Sequence, residues 1–114
     1  MVHIDHYDFG RIVINGTPYT HDVKILGERV LPNWWRQEGH YLQLSDIPEI
    51  EGPWDVVVIG TGKYGRMAVA PEVIQKLHAL QRSYIIEITD NAVQEFNRLV
   101  REAKNVLGAF HLTC

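Results

Sequence analysis

The stretch Trp54 to Ile59, WDVVVI, lies between Pro53 and Gly60 and constrains the fold more than any other segment. Apart from Asp55 the run is apolar, and a run this short suits a strand covered on both faces, so layers must pack on either side of the sheet that holds it. The second half of the chain supplies them. From Pro71 to Arg82, Val73, Ile74, Leu77 and Leu80 share one helical face, with Glu72, Gln75 and Lys76 outside. Tyr84 to Ile88 reads as a second strand. Thr89 or Asp90 then caps a longer helix whose stripe is Ala92, Val93, Phe96, Leu99, Val100, Ala103 and Leu107, with Gly108 at its exit. Ala109 to Thr113 closes a β-α-β-α-β series, which calls for a largely parallel sheet with right-handed crossovers.

The first half has a different rhythm. Phe9 to Ile14 and Thr20 to Leu26 flank Asn15-Gly16-Thr17-Pro18, the pattern of an antiparallel hairpin with a loop longer than two residues, added to the main sheet. Ser45-Asp46-Ile47-Pro48 predicts a short helical turn. No repeat or linker divides the chain, and 114 residues make one domain over residues 1–114.

Composition sets the outer limits on function. Hydrophobic content of 46% and charged content of 22% are those of an ordinary globular domain. A formal net charge of −3 lacks the clustered Lys and Arg of a nucleic-acid footprint, so no nucleic acid is expected as partner. No segment approaches the ~20 apolar residues that span a bilayer. The beginning, MVHIDHYDFG, shows no signal or transit pattern, and the one cysteine, Cys114, forms no internal disulfide. The expectation is a cytoplasmic protein without a membrane partner.

The string G-T-G-K-Y-G at Gly60 to Gly65 has dinucleotide-fingerprint spacing directly after a strand. That fingerprint works when the strand turns at once into a helix whose free N–H groups meet a pyrophosphate. Here Arg66-Met67-Ala68-Val69-Ala70 intervenes before Pro71, and proline disfavours helical backbone at Ala70 while fitting the first helical position itself. The glycines therefore read as a turn between extended segments. A phosphate-loop reading fails too, because Arg66-Met67 stand where Lys and a hydroxyl residue belong. The loop still falls at the carboxyl ends of parallel strands, where open sheets collect ligands. Gly60, Thr61, Gly62, Tyr64, Gly65, Arg66 and Asp90 form a candidate cleft there, with Thr61 and Arg66 holding an anionic group under Tyr64.

A second candidate is Trp34-Trp35-Arg36-Gln37-Glu38-Gly39-His40. Adjacent residues on an extended segment face opposite ways, so one tryptophan enters the core easily and the other needs a cover or a partner. Trp34, Trp35, Arg36 and His40 are accordingly candidate partner-binding residues, against the plainer reading of Trp35 wedged between sheet and helix. Six histidines do not form a ligand set at recognised spacing, and His3 and His6 fall in a terminus read as mobile, so neither a metal nor a cofactor is expected. His21-Asp22 adjoins a strand and reads equally as a ligand pair or as solvent-facing. In His111-Leu112-Thr113-Cys114, residues three apart on an extended chain face opposite sides, which argues against a thiol–imidazole pair.

Taken together, FGRIVINGTPYTHDV, WWRQEGHYL, VVVIGTGKYGRM and the final HLTC resemble the Mth938-like family, also called DUF498, over essentially residues 7–114. The resemblance implies an α/β fold: one three-layer domain with a mixed central sheet and a small additional β portion. It implies no settled enzymatic activity and supplies no catalytic residues. Relatives of that family include a mitochondrial assembly factor for respiratory complex I and an animal protein linked to adipocyte differentiation. The expected role is a non-catalytic protein-interaction or assembly module with an unidentified protein partner or a second copy of itself. The alternative is a small-molecule binding protein, or an enzyme, using the Gly60–Arg66 cleft.

Overall fold

A computed structural model describes residues 1–114. In chain order the elements are β1 (Ile4–Asp8), β2 (Arg11–Ile14), β3 (Thr17–Tyr19), β4 (Val23–Leu26), β5 (Arg29–Leu31), β6 (Tyr41–Leu42), β7 (Val56–Thr61), β8 (Ala68–Val69), α1 (Pro71–Ala79), β9 (Ser83–Glu87), α2 (Thr89–Arg101) and β10 (Val106–His111). Two 3-10 turns, Leu44–Asp46 and Pro48–Glu51, fill the segment before β7, where a helical turn is expected.

The central sheet has the order β5-β4-β10-β7-β9. β7 pairs in parallel with β10 and with β9, while β4 runs antiparallel to β10 and β5 antiparallel to β4. The sheet is therefore mixed. All six residues of β7 and all six of β10 are buried, as an apolar strand covered on both faces requires. Successive side chains serve opposite layers. Val56 and Val58 join Phe96, Leu99 and Phe110 beneath α2, together with Ile12 and Ile14 of the separate β1-β2-β3 sheet. Val57 and Ile59 join Val73, Leu77, Met67 and Leu42 beneath α1.

Five expectations need correction. The hairpin turn is the two-residue Asn15-Gly16, with φ of 49° and 80°, the left-handed pair that matches strand twist. Its strands are β2 and β3, whereas the Thr20–Leu26 segment supplies β4, which pairs with β10. The hairpin also belongs to its own three-stranded sheet, and β1 is a paired strand within the segment expected to be a mobile terminus. Finally, α2 ends at Arg101, and Ala103, with φ of 62°, turns the chain out of it. Leu107 and Gly108 lie inside β10, where a Cβ on Gly108 would stand 2.7 Å from the Phe110 ring and 3.0 Å from Phe96. A period-3.6 stripe and the first residues of a buried strand look alike in sequence, and the left-handed residue between them is unmarked.

Pro71 does open α1, after an extended Ala70 with φ −61° and ψ 142°. No helix is long and apolar enough to cross a membrane.

Candidate functional site

The carboxyl ends of β7 and β10 stop side by side, with His111 opposite Thr61. Because β4 is antiparallel to β10, its beginning arrives at the same edge, which places His21 and Asp22 beside His111. The β1–β2 turn comes there as well, through Gly10 N–H donating to Leu112 O at 2.9 Å and Tyr7 Oη–H donating to Leu112 O at 2.8 Å. One sheet edge thus gathers both candidate segments.

At its centre is Asp22, which turns inward instead of facing solvent. Its Oδ1 accepts Leu112 N–H at 2.8 Å, and its Oδ2 accepts from His111 Nδ1 at 2.7 Å and from Arg36 Nη2 at 2.8 Å. The tautomer follows from these partners. A carboxylate oxygen only accepts, so Nδ1 carries the proton, and the 3.0 Å approach of Arg36 Nη2 to His111 Nδ1 is two donors standing side by side on one oxygen. The other Nη2 hydrogen goes to Gly39 O at 2.6 Å, and Nε–H also donates there at 3.2 Å. Burial by itself would raise the Asp22 carboxyl, but hydrogen bonds from His111, Leu112 and Arg36 outweigh it, and the group sits below its ordinary value.

This arrangement fixes the tryptophan segment. The Arg36 guanidinium lies 4.6 Å from the Trp34 ring centroid, and its side chain is only 3% exposed. Trp34 donates Nε1–H to Asp46 O at 2.9 Å and its backbone N–H to Asp22 O at 2.8 Å. Lys24 lies under the same ring at 5.6 Å, held by both Glu49 oxygens at 2.8 and 2.9 Å. Of the two tryptophans, Trp34 is the buried one, at 6%, while Trp35 is 74% exposed with His21 as its ring neighbour at 5.3 Å. His40 is exposed, its ring edge-on to His111 at 5.5 Å.

The glycine loop is knitted into the same edge. Gly62 N–H donates to Thr89 Oγ1 at 2.8 Å, and that hydroxyl donates to His111 O at 2.7 Å. Thr89 is therefore buried as a bridge between β7 and β10 instead of capping α2 with its side chain. Its own N–H donates back to Gly62 O at 3.0 Å. Lys63 N–H goes to Thr113 O, Gly65 N–H to Gly62 O, Arg66 N–H to Cys114 O and Met67 N–H to Thr61 O. The Thr61 hydroxyl donates to Glu87 O at 3.1 Å. Apart from the Tyr64 N–H, the amides from Gly62 to Met67 thus face protein oxygens. Asp90 is brought to the loop as a salt bridge to Lys63 at 3.1 Å. Lys63 also sits 5.4 Å from the Tyr7 ring, whose phenol burial, reinforced by Asp90, pushes above its ordinary pKa. Gly60 is closed in by Thr89 and Phe110, whereas Tyr64 and Arg66 are exposed. Tyr64, at 70%, rests 6.2 Å from Phe9, itself 49% exposed, and Ile88 next to Gly65 is exposed too.

Four of the five large apolar side chains left in solvent, Phe9, Trp35, Tyr64 and Ile88, therefore rim this one edge. Asp22, Thr89 and His111 are the residues that sequence reasoning passes over. Asp22 and His111 are 89 positions apart, and only the β4–β10 pairing joins them.

A family model described as "Protein of unknown function (DUF498/DUF598)" matches residues 4–111. The conserved hypothetical protein PH1505 from Pyrococcus horikoshii OT3 is 25% identical, with a TM-score of 0.76 over 97% of this chain and 98% of that one. The structure named MT938 is 17% identical with a TM-score of 0.80 over all of both chains. A Bordetella pertussis protein described as a Mth938-like domain is 19% identical with a TM-score of 0.76 over 96% of this chain and 85% of that one.

Proposed function

We propose, for a chain that belongs to the DUF498/DUF598 family and has the Mth938-like fold, that it acts as a non-catalytic protein-interaction or assembly module. The contact surface is the sheet edge where β4, β7 and β10 meet, with Trp35 as its anchor. The observation that carries this reading is the contrast within three consecutive residues. Trp34 and Arg36 are buried and fixed by hydrogen bonds, whereas Trp35 between them is 74% exposed. An aromatic side chain presented from an immobilised backbone loses little further freedom on binding, which is the property of an interface hot spot. Phe9, Tyr64 and Ile88 are further exposed apolar side chains on the same sheet edge. A cytoplasmic site of action belongs to the same proposal, as does association with another protein or with a second copy.

The test is affinity capture with wild type and Trp35→Ala compared at equal folded concentration. A specific partner band, or a dimer in sedimentation, that disappears with Trp35→Ala supports the reading. Identical capture and sedimentation by the two proteins rejects it.

A second reading keeps one observation in its favour. Arg66 is exposed and has no carboxylate partner, so a small anionic ligand could meet it beside Tyr64, whereas Thr61, expected to share in holding it, is buried and gives its hydroxyl hydrogen to Glu87 O. With the amides of Gly62, Lys63, Gly65 and Arg66 engaged, side chains and the Tyr64 N–H would have to hold such a ligand. Loss of ligand-induced thermal stabilisation in Arg66→Ala is the result this reading requires.

A further inference from the structure

An outer strand leaves a row of backbone N–H and C=O groups unpaired, and chains blunt such edges with proline, a bulge, a basic side chain or sheer brevity. Three of the four outer strands of the two larger sheets are blunted in these ways. β5 has three residues, begins at Arg29 and runs into Pro32. β3 contains Pro18. β1 carries a register shift between Ile4 and His6, and Asn97 of α2 bonds both the N–H and the C=O of Ile4. The fourth, β9, is unguarded. Its five residues, Ser83-Tyr84-Ile85-Ile86-Glu87, hold no proline, bulge or basic group, and the one charge stands at the last position.

The outer backbone of β9 is free. Its only strand partner is β7, and no other hydrogen bond engages an N–H from Ser83 to Glu87. Glu87 O faces β7, where it accepts the Thr61 hydroxyl. Alternation along the strand then turns the N–H and C=O of Tyr84 and Ile86 outward. The side chains are half-open as well. Tyr84 and Ile86 pack against the α1 core and Ile85 against the α2 core, and all three are only partly buried.

We propose that β9 pairs antiparallel with the β9 of a second copy of this chain, about a two-fold axis at Ile85, so that the central sheet continues across both copies. The strand is complementary to itself in that register. Tyr84 of each copy falls opposite Ile86 of the other, and every outward N–H meets an outward C=O. The two Ile85 side chains meet beside the groove lined by Ile85, Glu87, Asn91, Gln94 and Glu95. Ser83 falls opposite Glu87 of the second copy, whose carboxylate accepts the hydroxyl, so no like charges are opposed across the pair. A five-residue strip is about 17 Å long, which places the contact at the small end of specific interfaces and makes the dimer reversible, with a Kd on the order of 10 to 100 µM. β9 and β5 are opposite edges of the sheet, so the contact is separate from the Trp35 surface beyond β5 and does not depend on it.

The experiment is sedimentation of the whole chain from about 5 to 500 µM, a range that brackets such a Kd. Wild type is compared with Ser83→Glu and with the double variant Ser83→Glu/Glu87→Lys. Both positions are exposed, so neither change enters the core. The expected result is a wild-type dimer at the upper concentrations, weakened by about tenfold or more in Ser83→Glu, where carboxylates oppose each other twice, and recovered in the double variant, where opposite charges face. Amide exchange at Tyr84 and Ile86 should slow as the wild-type concentration rises, and Trp35→Ala should leave the dimer intact. A wild-type chain that stays monomeric throughout overturns the proposal. So does a dimer that Ser83→Glu fails to weaken or the double variant fails to restore. A dimer lost in Trp35→Ala, with exchange at Tyr84 and Ile86 independent of concentration, assigns association to the other edge and overturns it too.

Discussion

His111 Nδ1–H donates to Asp22 Oδ2 at 2.7 Å, joining the end of β10 to the start of β4. The same oxygen receives Arg36 at 2.8 Å, and through Arg36 it sets the position of Gly39, Trp34 and the exposed Trp35. The proposed contact edge therefore depends on a carboxylate that lies behind it.

Removing that carboxylate while leaving its partners buried should be severe. We predict that Asp22→Ala destabilises the fold by about 3 kcal/mol, the cost of breaking a buried charged pair. Chemical denaturation of the two proteins near pH 7 measures it. A difference within about 0.5 kcal/mol, as for an ordinary surface substitution, would contradict the role given to Asp22.

The pH dependence has a definite sign. The folded-state Asp22 pKa lies below its unfolded value, despite burial, because of its hydrogen bonds. Its stabilisation is present in full above about pH 4, the ordinary carboxyl value, and is lost as pH falls through the depressed folded value. The stability gap between wild type and Asp22→Ala should narrow over that acidic window. A gap that stays constant through it would contradict the assignment.

Gly62 tests how the loop is closed. Its φ is 105°, and an added Cβ would stand 2.5 Å from the carbonyl of Cys114 and 2.8 Å from the His111 ring. We predict that Gly62→Ala lowers stability by about 2 kcal/mol or more, since backbone has to move as well as φ. Thermal unfolding provides the comparison, with Gly16→Ala as a left-handed glycine that has open space around it. Equal losses at the two positions would mean that the terminal segment does not pack on the loop.

The Thr89 hydroxyl both accepts from Gly62 and donates to His111 O. Thr89→Val preserves shape but orphans two backbone groups, and it should cost about 1–3 kcal/mol. Thr89→Ser keeps both hydrogen bonds and should recover part of that loss in urea titrations. A valine variant as stable as wild type would show that the bridge is dispensable.

The βαβ half is legible in the sequence because its cues are local: an apolar run before Gly60, a proline at the first position of α1 and a 3.6-residue stripe along α2. Misreadings arise where partners are remote. Nothing near Val23 announces that it will lie beside Phe110, so local pattern pairs the hairpin with the nearest segment and leaves Asp22 facing solvent. The Trp34-Trp35 pair reveals that the two rings must part, but which one is buried depends on Asp46 and Asp22 as hydrogen-bond acceptors. The glycine spacing is visible and its use is not, because Thr89 and the terminal carbonyls that occupy its amides come from β10, α2 and beyond.

The proposal that Trp35 anchors a protein contact is tested most directly by replacing it with a photoreactive phenylalanine derivative, which keeps an aromatic ring in place, and irradiating in native lysate. Lys104, exposed beyond the end of α2, carries the same group as the control. The account predicts one dominant adduct from position 35 that is absent from position 104. No adduct, or the same adducts from both positions, would contradict it.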